Sequence, residues 1–191
     1  MDKRAIVAAL TLATAVAVVT GTQAQRAGQP PAAAAGGTTL VLETDKGTME
    51  IELFEKDAPK SIDHILTLVR RGFYRGLRFH WVQPGLIQVG DPTSRNVTSQ
   101  KSWGEGGSGT RIGVAEIGKK PFERGSVGVA YRQGQTPKDA DSQIFICKAP
   151  SPHLNGKYTM IGKVTKGMEV ADKIELTDIL RLMYVKGETP K

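Results

Sequence analysis

His80, Gln88, Gln143, Phe145, His153 and Tyr158 stand beside stretches that read as strands, mixed with Leu86, Ala130 and Leu154. That composition suits an apolar groove with a few fixed hydrogen-bonding groups, able to hold a ligand without covalent chemistry. Other chemistries find little support. No G-x-S-x-G places a nucleophile on a strained turn. The glycine-rich segment 104–109 is not followed by the Gly-Lys-Ser/Thr of a phosphate loop. The three histidines His64, His80 and His153 are unpaired in sequence, and Cys147 alone cannot complete a zinc site, so neither metal nor cofactor is expected. Cys147 sits in the apolar run Ile144–Cys147 and reads as a small buried hydrophobe; no intrachain disulfide can form.

The stretch RFHWVQPGLIQVGDP (78–92) carries much of this set. Strand alternation puts Trp81 and Gln83 on the face of Phe79, with His80 and Val82 on the other. A histidine, a tryptophan and two glutamines among aliphatics suit the wall of a site better than a core strand.

The elements that must position these groups are short. TTLVLETDKGTMEIELF (38–54) reads as a hairpin about Thr44-Asp45-Lys46-Gly47, with Leu40 and Leu42 inward on one strand and Met49, Ile51 and Leu53 on the other. Ala58-Pro59 opens a helix whose apolar positions Ile62, Ile65, Leu66 and Val69 recur at helical spacing, and Gly72 ends it. Residues 94–113 are polar and glycine-rich, a long loop. Strands are expected over 126–131, 143–148, 158–164 and 179–185, with a second helix over 168–174. Many short strands and two helices predict a mainly β protein, a closed antiparallel barrel capped by two helices.

The chain ends add a compartment. MDKR followed by AIVAALTLATAVAVVTG and Thr22-Gln23-Ala24 has the basic, apolar and small-residue order of a secretory signal, 1–24. A retained membrane anchor is the competing reading; the alanine-rich core and the cleavage-like site favour removal and no stable membrane insertion afterwards. Residues 25–37 (QRAGQPPAAAAGG) read as a flexible linker, 38–186 as one domain and 187–191 as a disordered tail. The net charge of +7 is spread along the chain and no RNA-binding motif occurs, so nucleic acid is not an expected partner. The expected state is an exported monomer, periplasmic or extracellular.

Several blocks then carry a resemblance. GFYRGLRFHWVQPGLIQVGDP, RGSVGVAY, DADSQIFICKAPSPHLNGKYTMIGKV and GMEVADKI occur in an order similar to that of the cyclophilin-type peptidyl-prolyl isomerases, and VLETDKGTMEIELFEKDAPKSIDH resembles the same family's first hairpin and helix. The resemblance spans about Leu40 to Val185. It implies an eight-stranded antiparallel barrel closed by helices, with a groove for proline-containing peptides of unfolded or exported proteins. It also implies site roles for His80, Gln88, Gln143, Phe145 and Leu154, with Ala130 and Tyr131 passing beside the bound peptide. Tyr158 sits where many members have histidine. His153 takes the place of a tryptophan that, in cyclosporin-sensitive members, hydrogen-bonds the drug.

Two departures follow from the same comparison of residues. Members usually read F-H-R, with arginine the main catalytic group, where this chain reads Phe79-His80-Trp81. The segment from Pro84 to Gln88 is one residue shorter, so Leu86 and Ile87 are expected as the apolar residues before Gln88, in an open register. Three readings stand: an isomerase of reduced activity, a non-catalytic binder or chaperone-like module for proline segments, and a structural barrel with a vestigial groove.

Overall fold

The computed structural model describes residues 37–190. The expected signal 1–24 and nearly all of the expected linker lie outside the described residues. Among those described, no helix is long and apolar enough to cross a membrane.

The first hairpin forms as its alternation dictates. Strands β1 (Thr39–Thr44) and β2 (Gly47–Leu53) pair antiparallel, and Leu40, Leu42, Met49, Ile51 and Leu53 are all buried. Helix α1 (Pro59–Arg70) begins at proline, whose missing N–H costs nothing at a first helical position. Its Ser61, Ile62, Ile65, Leu66, Leu68 and Val69 face the core. The next strands are β3 (Leu77–Arg78), β4 (Trp81–Val82), β5 (Leu86–Val89), β6 (Ser126–Val129), β7 (Ile144–Cys147) and β8 (Thr159–Lys166). Helix α2 (Met168–Lys173) and strand β9 (Ile179–Val185) complete the domain.

All pairings are antiparallel, in one sheet of order β3-β9-β1-β2-β8-β6-β7-β5-β4. The two ends of that order are neighbours in the chain: β3 ends at Arg78 and β4 begins at Trp81. Two residues reach only about 7–10 Å between them, so the sheet must curl until its edges nearly meet. Phe79 and His80 form that seam. Phe79 N–H donates to Asp178 O beside β9 (2.9 Å), and His80 N–H to Gln88 O on β5 (3.1 Å). The sheet is thus a curled, barrel-like one of nine strands where eight were expected; β3 and β4 are the two halves of a strand that changes partner at the seam.

The seam also corrects the alternation expected for 78–83. Phe79 is fully buried while Trp81 is 54% exposed, so the two do not share a face. Strand periodicity holds only while the backbone keeps one partner. The expected tail is likewise tied down as far as Glu188, whose carboxylate accepts from Arg70 (2.9 Å) and whose N–H donates to Val185 O.

Candidate active site

Two apolar clusters flank the strands. The larger fills the curl, with Ile87, Val89, Val127, Val129, Ile144 and Ile146 pointing inward. The smaller, Phe122, Ala130, Phe145, Cys147, Leu154 and Met160, lies on the opposite face, with Leu86 and Tyr158 packed against it. Alternation divides the two: β5 sends Ile87 and Val89 in and leaves Leu86 and Gln88 out, while β7 does the same with Ile144/Ile146 and Phe145/Cys147. Ile87, expected in the groove, therefore belongs to the core. The shortened Pro84–Gln88 segment makes a tight turn, with Gln83 N–H on Leu86 O (2.8 Å), and that turn fixes Leu86 opposite Cys147 and Gln88 opposite Phe145.

Gly128 gives Phe145 its room. A methyl there would lie 2.8 Å from Phe145 Cε1 and 3.0 Å from Phe122 Cε1, closer than side chains tolerate. The ring of Phe145 consequently lies over β6, edge-on to Tyr158 at 5.4 Å, and Tyr158 stacks on Tyr131 at 4.7 Å. Leu86, Gln88, Ala130, Tyr131, Phe145, Leu154 and Tyr158 line a cavity of about 70 Å³ that opens to solvent. Burial, with Tyr131 alongside, pushes the Tyr158 hydroxyl up, so it stays neutral.

A polar net borders the cavity. Both Nε2 hydrogens of Gln143 are taken by backbone carbonyls, Gly104 O at 2.8 Å and Gly106 O at 2.7 Å. That fixes the amide, so its Oε1 must be the atom facing Gln88 Nε2 (2.7 Å) and His80 Nε2 (3.1 Å). An amide oxygen only accepts, hence His80 carries its proton on Nε2. His80 Nδ1, buried without a partner, is then the bare acceptor, which is less costly to leave unpaired than an N–H. Burial pushes the His80 pKa down against the weaker pull of Asp91, keeping the ring neutral.

Trp81 stands directly across from Gln88 in the β4–β5 pair. Directly opposed residues of an antiparallel pair share a face, so its side chain flanks the cavity wall from the exposed side. His153 lies on the 3-10 turn Pro152–Leu154, exposed, and does not line the cavity although its neighbour Leu154 does.

The family model described as "Cyclophilin type peptidyl-prolyl cis-trans isomerase/CLD" matches residues 39–185. The chain belongs to the cyclophilin-type peptidyl-prolyl isomerases. A relative from Brucella suis, a "Probable peptidyl-prolyl cis-trans isomerase", is 41% identical over 151 residues, 77% of this chain and 76% of the relative. A "Peptidyl-prolyl cis-trans isomerase" from Helicobacter pylori is 39% identical over 144 residues, covering 73% and 81%. A crystal structure of a Cryptosporidium parvum cyclophilin-type isomerase superposes with a TM-score of 0.67 at 26% identity, over 80% of this chain and 99% of that one. The same protein has been crystallised in the presence of the dipeptide Ala-Pro. This cyclophilin is thus an isomerase by family, and its fold is the family's curled antiparallel sheet with two helices.

Sequence reasoning missed a second, larger cavity of about 290 Å³ that shares Ala130, Tyr131 and Gln143 with the site and is lined further by Gly106, Arg132 and Asp141. Its signal was the glycine-rich loop, which reads as a connector because its anchors, Asp91 and Asp141, lie elsewhere in the chain.

Proposed function

We propose that this isomerase takes proline-bearing segments of exported proteins in the cavity of Leu86, Gln88, Ala130, Tyr131, Phe145, Leu154 and Tyr158, acting as a monomer, and that its turnover is reduced by Trp81. The observation that carries this is the Trp81–Gln88 pairing, which puts a neutral indole on the face where the family's arginine would reach the prolyl bond. Rotation about that bond removes amide resonance, against a barrier of about 20 kcal/mol. The twisted nitrogen gains a lone pair, and a cationic donor aimed at it or at the adjacent carbonyl favours the twisted state over the planar one. The indole offers one neutral N–H and a flat apolar face. Losing one preorganised donor costs roughly 10²–10³ in rate.

Among the described residues, no cation lines the 70 Å³ cavity. Arg132 lines the larger one beside it, where its Nη1 donates to Glu105 O (2.6 Å). The test is a protease-free isomerisation assay on the parent, Trp81→Arg and Arg132→Ala. Trp81→Arg should raise kcat/KM by about ten-fold or more, short of full restoration because about 1 Å of misplacement costs 10²-fold. Arg132→Ala should change little. A parent already at full activity, unmoved by either substitution, would remove Trp81 from the site. A second reading, binding without turnover, is favoured by the exposed indole beside an intact cavity; peptide titration followed by tryptophan fluorescence, with no turnover in the same sample, would establish it.

A further inference from the structure

Asp91 is fully buried and does not line the cavity, yet one of its carboxylate oxygens grips the loop that holds Gln143. Its Oδ1 accepts from Thr93 N–H (2.7 Å) and Thr93 Oγ1–H (2.8 Å). Its Oδ2 accepts from the N–H groups of Gly104 and Gly106, the latter at 3.2 Å. Those same two glycines offer their carbonyls to Gln143 Nε2. One side of the loop is therefore gripped through its N–H groups and the other through its C=O groups. The fit excludes side chains: a methyl on Gly106 would run into Asp91 Oδ1 and would stand 3.0 Å from Asp91 Cγ.

We infer that Asp91 is a positioning residue for prolyl isomerisation, setting the Gln143 amide, and through it His80 and Gln88, by clamping Gly104 and Gly106. The carboxylate holds two glycine N–H groups, and this places two carbonyls where only an NH2 can meet them. The Gln143 amide is then locked with Oε1 toward the cavity wall. Oε1 in turn demands a donor from His80, which sets its tautomer, and a donor from Gln88, which leaves Gln88 Oε1 free toward the peptide. Rotation of the Gln143 amide by half a turn would set its NH2 against the Nε2–H of His80 and the amide of Gln88. A carboxylate is needed because Oδ2 must accept twice while Oδ1 does so as well; an asparagine in its place turns one of those acceptors into a donor.

The inference rests on the isomerase reading for its rate effect but not for its structural effect, and the experiment separates them. Asp91→Ala, in the full chain, removes the acceptor facing Gly104 and Gly106 together with the one facing Thr93, and Thr93→Val controls for the latter. With an Ala-Ala-Pro-Phe peptide, kcat should fall about ten-fold with KM little changed, on the scale of misplaced groups. In 15N spectra the His80 ring should pass from a single Nε2–H tautomer to a mixture. Thr93→Val, which strips one bond from the other oxygen, should lower Tm comparably while kcat and the His80 pattern stay as in the parent. If Asp91→Ala does not fold, Gly106→Ala displaces the same loop with the carboxylate present and should give the same kcat and His80 changes. The inference is overturned if the folded variant keeps the parent's kcat and tautomer, or if Thr93→Val loses as much kcat as Asp91→Ala. A parent with no turnover at all would sink the isomerase reading, and the His80 spectra would still decide the clamp.

Discussion

His80 shows how one buried ring constrains the chemistry around it. Removal from water disfavours its charged form, so it meets Gln143 as a neutral donor. The unfolded chain binds a proton at the ordinary histidine value, about pH 6.5, and the folded chain does so only at lower pH. The stability this contributes is present above that ordinary value and is lost as pH falls toward the folded one. Turnover of the folded chain should accordingly stay level down through about pH 6.5 and decline only further into acid, where the folded ring takes up its proton. Urea midpoints across that range should show His80→Gln, which cannot take up the proton, losing less stability in acid than the parent. A parent whose acid loss matched that of His80→Gln would place the titration on another group.

The glycines and caps act at the level of whole elements. On β6, Gly128→Ala would press Phe145 and Phe122 from the sheet side. Overpacking of this kind costs about 1–3 kcal/mol, and because Phe145 is the cavity floor, peptide affinity should fall with stability. Melting curves and fluorescence titration would read both. Helix α1 is completed from far away: the Glu116 carboxylate accepts from Lys60 N–H (3.0 Å), Ser61 N–H (2.8 Å) and Ser61 Oγ–H (2.7 Å). Burial pushes that carboxyl up, but the Ser61 and Lys60 bonds outweigh it and hold the pKa below its usual value. Glu116→Ala removes an N-terminal cap, worth about 1 kcal/mol, and should leave kcat/KM unchanged because the helix does not line the cavity. Denaturation and progress curves on one preparation would check the pair of outcomes; a large fall in kcat/KM would tie α1 to the site.

Across the molecule, what could be read from sequence follows the range of the forces involved. The first hairpin and α1 rest on local periodicity and were legible; β7, an unbroken apolar run, was legible as a strand but not in its two faces. Leu86, Gln88, Phe145 and Tyr158 were legible too, though these were placed by resemblance rather than by pattern. Ile87 was set in the groove because a shortened turn leaves the register of β5 open until its pairing with Ile146 is known. Phe79 and Trp81 were set on one face because nothing in six residues announces a change of partner strand. Asp91, Asp141 and Glu116 escaped for the same reason: each caps or clamps a backbone segment far along the chain, as when Asp141 accepts from Ser108 Oγ–H and Gly109 N–H.

The seam at Phe79–His80 carries a temporal consequence. Phe79 is bonded to Asp178 through N–H and to Thr177 through C=O (3.1 Å), and β3 pairs only with β9. A ribosome makes those partners about a hundred residues later, at about 5–20 residues per second. Once β8 is made, β5, β6, β7 and β8 have their pairing partners, but β3 still lacks β9 and is held only where Arg78 N–H donates to Ser94 Oγ (3.0 Å). A chain truncated before Thr177 and released from the ribosome should therefore protect the β6–β7 and β6–β8 amides from exchange and leave that of Phe79 open. The site is thus finished only once β9, about a hundred residues beyond the seam, has been made, and a client peptide can meet a complete groove only after that.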